Sequence, residues 1–237
     1  GTTIDIVNDA GVTVNHLPVP NVELVDSDVM LVLDLSTRRL ELRGLLETPG
    51  WTPGYVGFGS RQFYRDITVA RLAADEIPDR WIGFEGADVV IWDEPVLPPG
   101  NSPQLAALLE WVRQGGQLIV GLGSSWSGLQ GSPLADVLPV EPVQSTRAYP
   151  LTMDVTELNE FFQRLVKRGT RDESDRPRSF REPVTFATVT AKSGAYRSFT
   201  VRLPDGPEID LIAVQSVGAG RVISVASSIG DLLKTPV

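Results

Sequence analysis

The chain has 237 residues, 42% of them hydrophobic and 22% charged, with no cysteine and a formal net charge of −9. At ~150 residues per domain this is one large domain or one with an appendage, long enough to bury a core without staples, which excludes disordered, collagenous, coiled-coil and disulfide-scaffold descriptions. The acidic balance argues against general affinity for nucleic acid or anionic lipid. The missing thiol removes thiol catalysis, thiolate zinc sites and iron–sulfur clusters.

Residues 1–27, with Gly11, Pro18 and Pro20, predict an irregular or short-stranded lead-in. The chain's one histidine, His16, sits here in Asn15-His-Leu-Pro18. A lone imidazole without partners is a poor metal ligand, so a structural or solvent-facing role is favoured. Val29 to Leu35 is a continuous apolar run interrupted only by Asp34. A run apolar on both faces suits a strand buried between two layers. Leu40, Leu42, Leu45 and Leu46 are spaced for a short helix over Thr37–Glu47, ended by Pro49-Gly50. Residues 49–64 predict an aromatic, Gly-rich loop containing Trp51 and Tyr55.

Ile67–Leu72 alternates and predicts a second strand nearer an edge. Ile77-Pro-Asp-Arg-Trp81 predicts a turn that tucks Trp81 under the sheet. Asp88–Trp92 is a third strand, leading into Asp93-Glu94-Pro95. Ser102 is placed to cap a helix with Pro103 at its first position. Leu105, Leu108, Leu109 and Val112 give that helix one buried face, and Gly115-Gly116 stops it. Leu118–Val120 is a fourth strand, opening into Gly121-Leu-Gly-Ser-Ser-Trp126.

Doubly apolar strands alternating with helices predict an α/β fold: a flavodoxin-like, doubly wound, mainly parallel sheet. The Val29 strand is expected at its centre, the Asp88 and Leu118 strands to one side and the Ile67 strand to the other. After residue 140 the pattern changes. Asp154-Val-Thr-Glu157 is a capping box before a helical stripe of Leu158, Phe161, Phe162 and Leu165. A charged loop at 167–183 follows. Residues 167–237 carry a net +3 against −12 for residues 1–166, and the alternating signs in the loop fit a solvated segment better than an anion site. Val184–Thr190, Tyr196–Leu203, Ile209–Gln215 and Arg221–Ala226 then predict antiparallel strands that extend or flank the sheet. Ser193-Gly194, Pro204-Asp-Gly206 and Gly218-Ala-Gly220 are expected as hairpin turns. The whole of 1–237 is thus expected as one domain, with a lead-in (1–27), a parallel core (28–140), and a helix plus antiparallel strands (141–237).

No stretch approaches the ~18 apolar residues of a membrane span, and no signal peptide is visible. Gly1 in place of Met, and an ending just after an apolar stretch, predict a piece of a longer protein whose anchors would lie outside it.

Four segments together resemble the class I glutamine amidotransferase-like domains of bacterial cell-envelope proteins, planctomycete ones among them. They are LVLDLS (31–36), EIPDRWIGFEGADVVIWDEP (76–95), SPQLAALLEWVRQGGQLIV (102–120) and AVQSVGAGRVISVASS (213–228). The resemblance implies a flavodoxin-like fold, an extracytoplasmic setting in the envelope and membrane spans elsewhere in a longer chain. It places the family's nucleophile near Gly123. With no Cys, and with His16 far upstream of where the family's His would lie, glutaminase chemistry is not expected.

The candidates for a rebuilt or vestigial site are therefore Asp34, Ser36, Asp93, Glu94, Gly123, Ser124 and Ser125. Carboxylates at the carboxyl ends of parallel strands lie where open α/β sheets take ligands. They could share acid/base work or hold a hard cation, although Asp often ends a strand by capping the next turn. Ser124 and Ser125 lack the G-x-S-x-G elbow and an imidazole to activate them. Asp34-x-Ser36 resembles the start of a von Willebrand A metal site, but Arg38 stands where that motif needs Ser. No Walker or dinucleotide glycine fingerprint follows the first strand. The expectation is a non-catalytic scaffold or interaction domain without cofactor or metal. Its partners would be proteins or the rest of its own chain, with membrane contact only through outside segments, and contact would run through Trp51, Tyr55 or Trp126. The alternatives are a carboxylate- or metal-assisted hydrolase, and a sugar-binding module using the same rings as stacking faces.

Overall fold

A computed structural model of the chain describes residues 3–7, 11, 13–18, 29–40, 42, 66–73, 76–97, 102–143, 185–202 and 208–233. In the lead-in, β1 (Thr3–Val7) pairs antiparallel with β2 (Thr13–Pro18), which sets His16 opposite Asp5. This hairpin is a separate two-stranded sheet.

The apolar runs form the centre. β3 (Val29–Asp34), β4 (Asp66–Arg71), β5 (Val89–Asp93) and β6 (Gln117–Gly121) belong to a seven-stranded sheet. It is completed by β11 (Gly220–Val225), β10 (Glu208–Val217) and β9 (Tyr196–Arg202), in the order β4-β3-β5-β6-β11-β10-β9. The first five strands of that order are parallel, and β10 and β9 add antiparallel strands. Counted along the chain, the parallel strands stand in the order second, first, third, fourth, fifth. This is the flavodoxin-like arrangement, whose topological switch point falls between β3 and β5.

Strand alternation explains why both faces are apolar. Leu33, Val90, Trp92, Leu118, Val120 and Val222 pack in the larger core with helix α1 (Pro103–Arg113). Met30, Val32, Val89 and Ile91 form a second cluster with Leu40, Leu42 and, at its margin, Ile229. Helix α1 starts as its sequence dictates: the Ser102 hydroxyl accepts from the Leu105 amide at 3.4 Å with Pro103 at the first turn. It buries Leu105, Leu108, Leu109 and Val112. Gly115, at φ +128°, takes the chain out of it.

After β6 come a 3-10 turn (Gly123–Ser125), α2 (Trp126–Leu129) and α3 (Pro133–Val137). β7 (Val140–Pro142) pairs antiparallel with β8 (Val189–Ala191) in a third sheet. α4 (Ile229–Leu233) follows β11. No helix among the described residues is long and apolar enough to cross a membrane.

Four expectations need correction. Trp81 opens a 3-10 turn (Trp81–Phe84) before β5 and keeps 40% of its surface exposed, and Phe84 at the end of that turn is the ring fully buried, 5.8 Å from the Trp111 ring. Residues 37–40 form an irregular loop rather than a helix start. Asp34 takes the amides of Ser36 and Leu40, while Arg71 donates to the carbonyls of Ser36 and Thr37. Ser193-Gly194 joins strands of different sheets, because the Lys192 amide and ammonium hold that end of β8 to Pro139, Ala135 and Asp136. β11 is antiparallel to β10 but parallel to β6, so it is the fifth strand of the core. The expected helix at 158–165, the aromatic loop at 49–64 and the charged loop at 167–183 lie outside the described residues.

Candidate functional site

The carboxyl ends of β3, β5 and β6 bring six of the candidates together. Asp34, the last residue of β3, is 1% exposed and turned onto its own loop, with the Ser36 amide at 2.9 Å from Oδ1 and the Leu40 amide at 3.5 Å from Oδ2. Ser36 then reaches across the switch point, its hydroxyl oxygen accepting from the Asp93 amide at 2.9 Å. Buried side chains thus tie the end of β3 to the end of β5 by hydrogen bonds that satisfy backbone donors.

Asp93 points into α4. Its Oδ1 accepts from the Ile229 amide at 2.7 Å, and its Oδ2 from the Gly230 amide at 3.0 Å and the Ser228 hydroxyl at 2.8 Å. A carboxylate on β5 therefore caps a helix that begins 136 residues later, and the exposed amides of a helix start favour such an anion. Burial pushes the Asp93 carboxyl above the ordinary range, and the donors of Gly230, Ile229 and Ser228 pull it part of the way back. Gly121 and Gly230 leave room for this carboxylate, since a Cβ on either would meet an Asp93 oxygen.

Glu94 stands in a left-handed conformation, φ +46°, among the described residues the only non-glycine there. Its amide bonds to the Gly121 carbonyl at 2.8 Å. Its Oε1 accepts from the Ser124 hydroxyl at 2.6 Å and the Ser124 amide at 3.1 Å. Its Oε2 pairs with Arg38, which lies 3.7 Å from Asp231 through its other nitrogen. Burial raises the Glu94 pKa, but the Ser124 and Arg38 donors outweigh it, and the carboxyl lies below its usual range. Gly123 is the one residue that fits beneath. It has φ +44°, and a Cβ would stand 2.8 Å from Glu94 Oε1 and 3.0 Å from the Ser228 amide.

Ser125 faces away from this group and donates to the Leu122 carbonyl at 2.7 Å. Trp126 is 6% exposed and belongs to the larger core, so its ring offers no face to a partner or a sugar, contrary to expectation. Trp51 and Tyr55 lie outside the described residues. Among the described residues no group of three or more His, Asp or Glu is placed to hold a metal ion. The carboxylates sit side by side but do not converge: Asp34 serves its loop, Asp93 serves α4, and Glu94 serves Ser124 and Arg38.

Residues 228–231 and Arg38 were missed in the sequence. Ser228-Ile-Gly-Asp231 carries the Ser-x-x-Asp signature of a helix start, and the Ser228 hydroxyl does accept from the Asp231 amide at 3.3 Å. Arg38 was visible only as the residue that spoils a metal motif.

No family model matches the chain, and no curated protein matches it. Among solved structures the chain is similar to a cytoplasmic protein from Salmonella typhimurium LT2 at 13% identity and a TM-score of 0.47, over 84% of this chain and 88% of that one. A second Salmonella typhimurium cytoplasmic protein has 13% identity and a TM-score of 0.48, over 88% and 93%. The exo-β-1,4-mannosidase Op5Man5 from Opitutaceae bacterium strain TAV5 has 17% identity and a TM-score of 0.42; 70% of this chain is covered, and it spans 24% of that enzyme.

Proposed function

We propose that the chain is a non-catalytic scaffold or interaction domain, amidotransferase-like in descent, of a larger bacterial envelope protein. The observation that carries the reading is the commitment of the strand-end carboxylates. Both oxygens of Asp34, Asp93 and Glu94 accept from groups of the chain itself. A glutaminase would need a thiol, and the chain has none. The flavodoxin-like strand order and the glycine turn after β6, where that family's nucleophile would fall, support the descent.

A second reading is favoured by one contact, the 2.6 Å bond from the Ser124 hydroxyl to Glu94. In a rebuilt hydrolase Ser124 would be the nucleophile and Glu94 its base. A base works best with a pKa near the working pH, whereas Glu94 is held below its ordinary value and paired with Arg38. Treatment with a serine-directed fluorophosphonate decides between the two. The scaffold reading expects no labelling of Ser124 and no ester hydrolysis removed by Ser124→Ala; stoichiometric adduct on Ser124 would replace it with the hydrolase. The envelope setting is tested by a phosphatase reporter fused to the protein in its host, which is active only outside the cytoplasm.

A further inference from the structure

The Glu94 carboxylate occupies a set of donors that belongs to other parts of the chain. Ser124, in the turn after β6, contributes its amide and its hydroxyl. Arg38, in the loop after β3, contributes its guanidinium. A backbone amide next to a left-handed glycine, a hydroxyl and an arginine fork form the donor set with which proteins hold carboxylates and other oxyanions. These donors stand at the carboxyl edge beside the switch point, where doubly wound sheets receive ligands. The occupant is held there by a backbone conformation that a residue with a side chain rarely adopts.

We propose that Arg38 and Ser124 form a carboxylate-binding site which the free protein keeps filled with its own Glu94, and which a carboxylate from outside takes by displacing it. The inference deepens the interaction-domain reading, because the acidic side chain of a protein partner is one such carboxylate and a small organic acid is the other. The donors are within reach: the Arg38 side chain is 56% exposed and Ser124 is exposed, while Glu94 lies deeper at 15%. Two other carboxylates stand near the site without occupying its donors. The Asp93 oxygens are covered by Ser228, Ile229 and Gly230, and Asp231 meets the guanidinium through Nη1, whereas Glu94 uses Nη2. An entering carboxylate has to compete for Nη2 and the two Ser124 donors only.

The test is a titration of the chain followed by the amide resonance of Ser124 at constant ionic strength. The probes are acetate, the blocked peptide acetyl-Ala-Glu-Ala-amide and its Gln counterpart. Glu94→Gly empties the site and suits the left-handed backbone, so this variant is expected to fold; its dispersed amide spectrum verifies that. Acetate should shift the Ser124 resonance saturably in Glu94→Gly, and in the natural chain at least ~10-fold more weakly, because a tethered competitor acts at high effective concentration. Arg38→Ala added to Glu94→Gly should abolish the response. Tighter binding of the Glu peptide than of acetate assigns the site to a protein partner, and the reverse order to a small acid. Absence of a saturable shift in Glu94→Gly, an equal response without Arg38, or no displacement at all in the natural chain overturns the proposal. Labelling of Ser124 by fluorophosphonate would end the scaffold reading and leave this result standing, so the two failures are distinguishable.

Discussion

Protonating Glu94 removes the charge that Arg38 pairs with and weakens the acceptor shared by the Ser124 amide and hydroxyl. Its folded-state pKa is lowered, so it adds stability above its unfolded pKa, and that contribution is lost as pH falls through the folded value. Asp93, one residue earlier, has the opposite sign. Its pKa is raised, chiefly by burial, so the folded chain holds its proton better than the unfolded chain, and stability is lost as pH rises from the unfolded to the folded value. Urea midpoints measured between about pH 3 and 6 should therefore show Glu94→Gln flattening the loss on the acid side, whereas Asp93→Asn flattens the loss on the rising side. A Glu94→Gln profile parallel to that of the natural chain would remove the claim. Gly123 is a further single-residue requirement. Gly123→Ala adds a Cβ 2.8 Å from Glu94 Oε1 at a left-handed φ and should cost about 1–3 kcal/mol in urea unfolding.

Helix α1 and the 3-10 turn before β5 show what local sequence can and cannot carry. Leu108 is 1% exposed in the larger core, so Leu108→Ala should destabilise by about 2–5 kcal/mol. Trp81→Ala, at a ring 40% exposed, should cost about 1 kcal/mol or less by the same measurement. The parallel core was legible because its signals are local: doubly apolar runs at Val29–Leu35 and Asp88–Trp92, Ser102-Pro103 at a helix start and Gly115-Gly116 at its end. Pairing at a distance was not. Arg221–Ala226 has the alternation of any half-buried strand, and only the partner on each side makes it the fifth parallel strand. Trp81 and Phe84 are both apolar rings in one short turn, and it is Phe84 that goes inside, beside the Trp111 ring of helix α1. The site was legible as a place, the carboxyl ends of β3, β5 and β6. Its wiring was not, because Arg38 meets Glu94 across 56 residues and Ser228 meets Asp93 across 135.

Over the whole molecule, the net charge of −9 opposes phosphate backbones, since binding there depends on releasing counterions to basic side chains. Duplex DNA should not shift in a gel with the protein at about 0.15 M salt, and a salt-sensitive shift would show that the basic residues after 166 form a patch. Beyond the main sheet, Asp210, fully buried on β10, accepts from Ala191 on β8 and from Arg197 and Thr200 on β9, fastening the small β7–β8 sheet to the large one. The Asp93–α4 junction makes a comparable fastening at the other side of β11, and it bears on how the unit is cut out for fusion or display. The sheet is finished at Val225, which makes the end of that strand the obvious place for a joint. A joint there strips Asp93, at the end of β5, of its three donors and leaves its carboxyl group without the partners that offset its burial. The excised unit has to run through Asp231 to remain whole, and a shorter version should emerge from expression aggregated or protease-sensitive.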